Sequence, residues 1–309
     1  MENLQSMITK QWQVKVSGDL RPVDSGTKNV TCFHDENGRP FYLKRKRGAA
    51  RIAQEELIYH ALSKVGISAS YPIETVEGRA FTVFEGNRYC LYRPVPGTVV
   101  NGFDEKMTFQ IGRSLALLHK GLLEINDHEL FHDMNIKKQL TEWAIPVVLA
   151  EFGNSGAASA KDLFEELQNN FLNRCDTLPH QLIHRDPNSS NMLYAEDKGI
   201  SFIDFELATY GLRIFDICYF STGMLMSDYS NTDFRLRWFH LLDVLVKGYR
   251  SETPLTQAEL DAVFYVIVSI QIIFSAYFSK INKDMALLNF DSLFWIERHK
   301  AKIQQVVGT

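Results

Sequence analysis

The periodicity of this chain changes character at one place, Arg93–Gly97, where the prolines of Pro94-Val95-Pro96-Gly97 fix φ, remove backbone donors and end any helix. Before that point the apolar residues alternate as strands do. Gln13–Ser17 alternates, Asp35–Gly38 is a hairpin turn signal between Val30–Phe33 and Pro40–Lys44, and Arg79–Phe84 and Arg88–Tyr92 flank a second turn at Glu85–Asn87. One segment there, 50–65, is helical instead, with Ile52, Leu57, Ile58, Ala61, Leu62 and Val65 at helical spacing. Beyond Gly97 helical patterns dominate, over 105–121, 135–151, 158–174, 232–250, 256–280 and 285–305. The reading is an α+β chain in two lobes: an antiparallel β lobe with one helix over 1–93, a hinge at 94–97, and a larger, mostly α-helical lobe over 98–309. Gly153–Ala160, rich in Gly, Ala and Ser, reads as a flexible loop or a frayed helix start.

A chain of 309 residues can bury two cores, and 45% hydrophobic with 23% charged residues is the balance of a folded protein. A net charge of −4 gives no electrostatic reason to expect nucleic acid or an anionic membrane as partner. Cys32, Cys90, Cys175 and Cys218 are scattered, which fits reduced thiols, and the first residues lack an apolar signal core. Both point to the cytoplasm. Ala262–Phe278 carries no charge, but at 17 residues with Ser269, Gln271 and Ser275 it falls short of the ~20 of a spanning helix. It reads as a buried helix.

The chemistry concentrates in 182–217. Asp186 is followed five residues on by Asn191 and thirteen later by Asp204, with strand-like residues on either side. Transfer of a phosphoryl group to an alcohol needs a carboxylate to accept the hydroxyl proton and oxygen ligands for Mg²⁺. Asp186 suits the first role, Asn191 and Asp204 the second. His184 reads as scaffold for the loop, and Asp216 as a brace accepting its backbone N–H groups. Glu206 either helps a second metal or pairs with a nearby cation.

In the first lobe, Tyr42, Lys44 and Lys46 share a strand face, and one of these lysines could reach phosphates. Glu55 lies on the buried side of the 50–65 helix and is assigned as the partner of Lys44. The stretch Asp24–Asn29 can offer backbone N–H groups to phosphate, but on its own residues it reads rather as a plain hairpin turn. His128 and His132 have ligand-like spacing for a helix, with no third ligand evident.

Taken together, His184-x-Asp186-x-x-x-x-Asn191 and Ile203-Asp204-Phe205-Glu206 resemble the aminoglycoside phosphotransferase and choline kinase superfamily, small-molecule relatives of protein kinases. The likeness runs over most of the chain. It extends to Ser25–Val30 as a nucleotide loop, Tyr42–Lys44 as the third strand, Leu91–Gly97 as the hinge and Ile111–His119 as the first large-lobe helix. The resemblance implies a protein-kinase-like fold and ATP with Mg²⁺ as cofactors. It also implies that Asp186 is the base, Asn191 and Asp204 are metal ligands, and Lys44 with Glu55 forms the phosphate-holding ion pair. Ser25, Gly26, Thr27 and Asn29 would cradle the nucleotide, adenine would sit near Tyr92 and Val95, and His184, Arg185, Glu206 and Asp216 would support the site. The stretch Ile203–Ile217 is most similar to choline and ethanolamine kinases, so an amino alcohol is the expected acceptor. Homoserine, an aminoglycoside and thiamine are the alternatives, and a kinase-fold binding protein without turnover is the reading from a different class.

Overall fold

The computed structural model describes residues 3–23 and 29–308 and divides into two compact units, Met1–Thr98 with Leu193–Glu206, and Val99–Met192 with Leu207–Thr309. In the first unit, α1 (Leu4–Trp12) precedes β1 (Val16–Pro22), β2 (Val30–Asp35), β3 (Pro40–Lys46), α2 (Ala49–Lys64), β4 (Pro72–Ile73), β5 (Thr82–Phe84), β6 (Asn87–Tyr92) and β7 (Thr98–Val99). The antiparallel sheet runs in the order β1-β2-β3-β6-β4, with β5 also on β6. Alternation along β3 decides its two faces. Phe41 and Leu43 pack with Phe33, Leu91 and the buried face of α1, namely Met7, Ile8 and Trp12.

Sequence periodicity did not predict α1. Its helix is made by Asn3, whose side chain accepts from the Ser6 N–H, and is pinned by the Trp12 indole, which donates to the Ile73 carbonyl at 2.8 Å. The other face of β3 carries Tyr42, Lys44 and Lys46. Register places Lys44 opposite Cys90 and Tyr42 opposite Tyr92.

The second unit opens with α3 (Glu105–Leu123), capped by Asp104, whose side chain accepts from the Met107 N–H. Then come α4 (Ile136–Gln139), α5 (Ile145–Leu167) and β8 (His180–Ile183). A π-helical turn at Leu140–Ala144 joins α4 to α5, so helix runs unbroken through 153–160, where a loop or frayed start was expected. After β8 the chain crosses to the first unit for the hairpin of β9 (Met192–Ala195) and β10 (Gly199–Phe202).

It returns through β11 (Thr209–Leu212), which pairs antiparallel with β8, and then α6 (Phe215–Ser227), α7 (Thr232–Arg250), α8 (Gln257–Phe278), α9 (Lys283–Arg298) and α10 (Lys300–Val307). Two glycines let α3 and α7 cross with backbones in contact. A Cβ on Gly112 would sit 2.1 Å from the Leu245 carbonyl oxygen, and one on Gly248 2.2 Å from that of Phe109. Trp238 and Tyr249 of α7 are fully buried. The apolar α8 meets the length and hydropathy of a membrane span, yet the second unit buries most of it, Val263 to Ile272 included. Its start is a capping box between Thr256 and Glu259, and the same Glu259 carboxylate receives the Arg213 guanidinium at 2.6 and 2.8 Å.

Candidate active site

In the first unit the chemistry centres on an ion pair at the end of β3. The Lys46 ammonium donates to both carboxylate oxygens of Glu55, at 2.6 and 2.8 Å, and each side chain is 1% exposed. The paired lysine is therefore Lys46, and the assignment of Lys44 to Glu55 is corrected. Lys44 and Lys46 point to one face, but β3 runs two residues beyond Lys44 toward α2, and it is the ammonium of its last residue that bonds Glu55. The Tyr59 and Tyr92 hydroxyls lie 3.5 and 3.4 Å from Glu55 Oε2, and Glu206 is 3.5 Å from the Lys46 ammonium. Glu206 thus has a cation beside it, as one of its two expected roles requires.

The electrostatics of the two lysines differ in sign. Burial pulls Lys46 down, but the Glu55 carboxylate outweighs it and holds the group above the usual lysine range. Lys44 is pulled below that range by burial and by the Lys46 charge, with Asp204, Glu55 and Glu206 opposing. Both ammonium groups lie over the Tyr92 ring, at 5.7 and 5.8 Å from its centroid.

Tyr92 is buried with its phenol on Glu55, so its side chain serves the ion pair, while Val95 is partly exposed in the connector. Asn29 accepts from the Arg45 guanidinium through its side chain and from the Arg45 N–H through its carbonyl. Ser25, Gly26 and Thr27 lie outside the described residues.

Asp204 follows β10 in the left-handed region, at φ +64°, where a non-glycine residue is strained. Phe205 behind it is buried and packs edge-on against Tyr59, with centroids 5.8 Å apart. No hydrogen bond from a described residue reaches the Asp204 carboxylate.

In the second unit the loop after β8 is built around Asp216, fully buried in the first turn of α6. Asp216 accepts from the His184 N–H at 2.8 Å, the Arg185 N–H at 2.9 Å and the His119 imidazole at 3.0 Å. His119 in turn lies 2.8 Å from the Tyr249 hydroxyl. Arg185 has φ +70°, which turns the chain so that the Asp186 N–H faces His184 Nδ1 at 3.4 Å.

Asp186 and Asn191 meet within this loop. The Asn191 amide donates to the Asp186 carbonyl at 2.9 Å and to its Oδ2 at 3.1 Å. Those bonds use the NH₂ end and leave the Asn191 carbonyl oxygen for a cation. The Asp186 Oδ1 accepts from the Asn188 amide at 2.8 Å and from the Tyr219 hydroxyl at 2.6 Å. Burial, then the Asp186 charge, pushes the Tyr219 phenol well above its ordinary value, so it remains a donor. Its ring meets those of Phe215 and Phe274, with centroids 5.9 and 5.5 Å away.

Sequence reasoning named Lys46 as one of two candidate lysines but paired Glu55 with Lys44, and it did not identify Asn188, His119 or Tyr219. The alternation along β3 and the position of Tyr219 one helical turn after Asp216 were the available signals. His132 serves through its backbone, its carbonyl accepting from the Tyr210 N–H of β11 at 2.9 Å.

Residues 19–254 match the sequence model of the phosphotransferase enzyme family, well over half of the chain. Among solved structures, the chain is similar to an amicoumacin kinase in complex with AMP-PNP, Ca²⁺ and Ami, at 17% identity and TM-score 0.66 over 98% of this chain and 94% of that one. A microcompartment-associated aminopropanol kinase matches at 14% identity and TM-score 0.68 over 97% of each chain. The choline kinase LicA from Streptococcus pneumoniae matches at 11% identity and TM-score 0.62, over 95% of this chain and 96% of that one. At these identities the likeness establishes the kinase-like α+β fold.

Proposed function

The chain belongs to the phosphotransferase enzyme family and is a small-molecule kinase, and from that premise we propose that it transfers the γ-phosphoryl group of ATP to the hydroxyl of a small amino alcohol of the choline or ethanolamine type. The observation that carries the reading is the Asp186 loop. Its carboxylate is held by three side-chain donors and is partly exposed, as a proton acceptor for a bound hydroxyl must be. Asn191 Oδ1 and the Asp204 carboxylate are hard oxygen donors not committed to a described protein group, and they fit Mg²⁺. When bound, that ion neutralises phosphate charge. Lys46, oriented by Glu55, is the residue assigned to the phosphates.

The amino alcohol is favoured by the aromatic strip that adjoins the base. The Tyr219 ring meets Phe274, and Phe274 meets Phe278 at 6.0 Å on α8, faces suited to an ammonium group. The test is a panel of choline, ethanolamine, homoserine, thiamine and an aminoglycoside incubated with Mg-ATP, with products weighed by mass spectrometry. A phosphorylated choline or ethanolamine is the expected product. Phosphorylation of only the aminoglycoside or homoserine would move the acceptor to that class, and no product from any of them would contradict the reading.

A further inference from the structure

The Asp186 carboxylate has two oxygens with about four lone-pair directions between them. On Oδ1 both are taken, by the Tyr219 hydroxyl at 2.6 Å and the Asn188 amide at 2.8 Å. Oδ2 accepts a single, longer bond from Asn191, at 3.1 Å, and keeps a direction open. We propose that Tyr219 is the positioning residue of the base: its hydroxyl occupies Oδ1 and fixes the carboxylate plane, so that Oδ2 alone is presented to the acceptor hydroxyl. The proposal rests on the phosphotransfer reading above.

Three features make Tyr219 suited to this. It stands one turn after Asp216 on α6, so the helix whose Asp216 holds the His184 and Arg185 N–H groups also holds the base itself. Its ring packs on both Phe215 and Phe274, which restricts the rotamer freedom a surface tyrosine would have. Its contact with the carboxylate is the shortest of the three, as expected for O–H donation to a charged acceptor. Without it, Oδ1 would keep a single and longer donor, the neutral Asn188 amide at 2.8 Å.

In the step assigned to Asp186, the acceptor oxygen forms a bond to the γ-phosphorus while the bond from that phosphorus to the bridging oxygen of ADP breaks. ADP leaves with the electron pair, and the hydroxyl proton passes to Asp186 Oδ2. A carboxylate free to turn about χ2 would meet the hydroxyl in this geometry only part of the time. Misplacement of a reacting group by about 1 Å costs roughly 100-fold in rate.

The test compares wild type, Tyr219→Phe, Asp186→Asn and a protein carrying 3,5-difluorotyrosine at 219, each assayed for ADP release from Mg-ATP with ethanolamine and with water alone as acceptor. Tyr219→Phe should lower kcat about 10- to 100-fold with the KM for Mg-ATP and the melting temperature unchanged. Difluorotyrosine, which keeps the donor, should hold wild-type kcat. A crystal structure of Tyr219→Phe should show the Asp186 carboxylate turned from its wild-type plane, a readout that needs no acceptor.

Wild-type kcat in Tyr219→Phe beside an inactive Asp186→Asn would overturn the positioning role and spare the base. Full activity in Asp186→Asn would overturn both this role and the kinase reading beneath it. Equal losses with phenylalanine and difluorotyrosine, or an unturned carboxylate in the crystal, would make Tyr219 a packing residue and overturn the proposal.

Discussion

Lys44 and Lys46 are the same residue type, two positions apart on one strand face, and the structure gives them opposite electrostatic fates. Lys46 is buried against Glu55, and Lys44 stands beside it with its charge disfavoured. Removing Lys46 strands a buried carboxylate, so Lys46→Met should destabilise the fold by about 3–5 kcal/mol in urea denaturation. Lys44→Met should be neutral or slightly stabilising. The pH dependence has a definite sign. A lysine raised in the folded state contributes fully below the ordinary value of 10.5 and loses its contribution as pH climbs through its own higher value. The Lys46→Met deficit should therefore be level across neutral pH and shrink in alkali; a deficit that grew with pH would exclude the pair as its source. At this scale the sequence was only partly legible. Alternation put Tyr42, Lys44 and Lys46 on one face, but which of them reaches Glu55 depends on how far β3 runs before α2 begins, a tertiary quantity. Asp186 and Asn191 could be read as one loop because only four residues of turn chemistry, Pro187 to Ser190, separate them. Tyr219 gave only its place one turn after Asp216, and an aromatic residue in an apolar helix looks like core until its hydroxyl is seen on a carboxylate.

Elements were legible where a local signal agreed with packing. The β strands announced themselves by alternation and by the Asp35–Gly38 turn, and α8 by its uncharged length. Two features were not. α1 depends on the cap at Asn3 and on a tertiary anchor at Ile73, and 153–160 carries glycines that argue for a loop while its neighbours hold the helix on both sides. The crossing of α3 and α7 is a third case: Gly112 and Gly248 look like interruptions in sequence and are the contact surface in space. Gly248→Ala would place a Cβ 2.2 Å from the Phe109 carbonyl oxygen, and α7 would have to move. A loss of about 1–3 kcal/mol in thermal unfolding is expected from such overpacking. An unchanged melting temperature would mean that the two helices do not approach as closely as described.

For the whole molecule, order along the chain carried the fold. A β segment, a Pro/Gly connector and a helical remainder specify an α+β kinase-like fold, and the match over residues 19–254 with the similar solved kinases supports that reading. What order along the chain did not reveal is that Leu193–Glu206 belongs with the first unit, because β9 and β10 are short strands whose partners are distant in sequence. That excursion divides the motif, with Asp186 and Asn191 in one unit and Asp204, beside Glu206 and near the Lys46 pair, in the other. The central claim is that Asp186 accepts the proton in a phosphoryl transfer from ATP. Its most direct test is the transfer of radiolabelled γ-phosphate from Mg-ATP to the accepted alcohol by wild type and Asp186→Asn, with nucleotide affinity measured in parallel by calorimetry. The predicted result is a rate loss of about 10²–10⁴-fold with Mg-ATP affinity nearly unchanged, and an Asp186→Asn protein that transfers phosphate at the wild-type rate would contradict it.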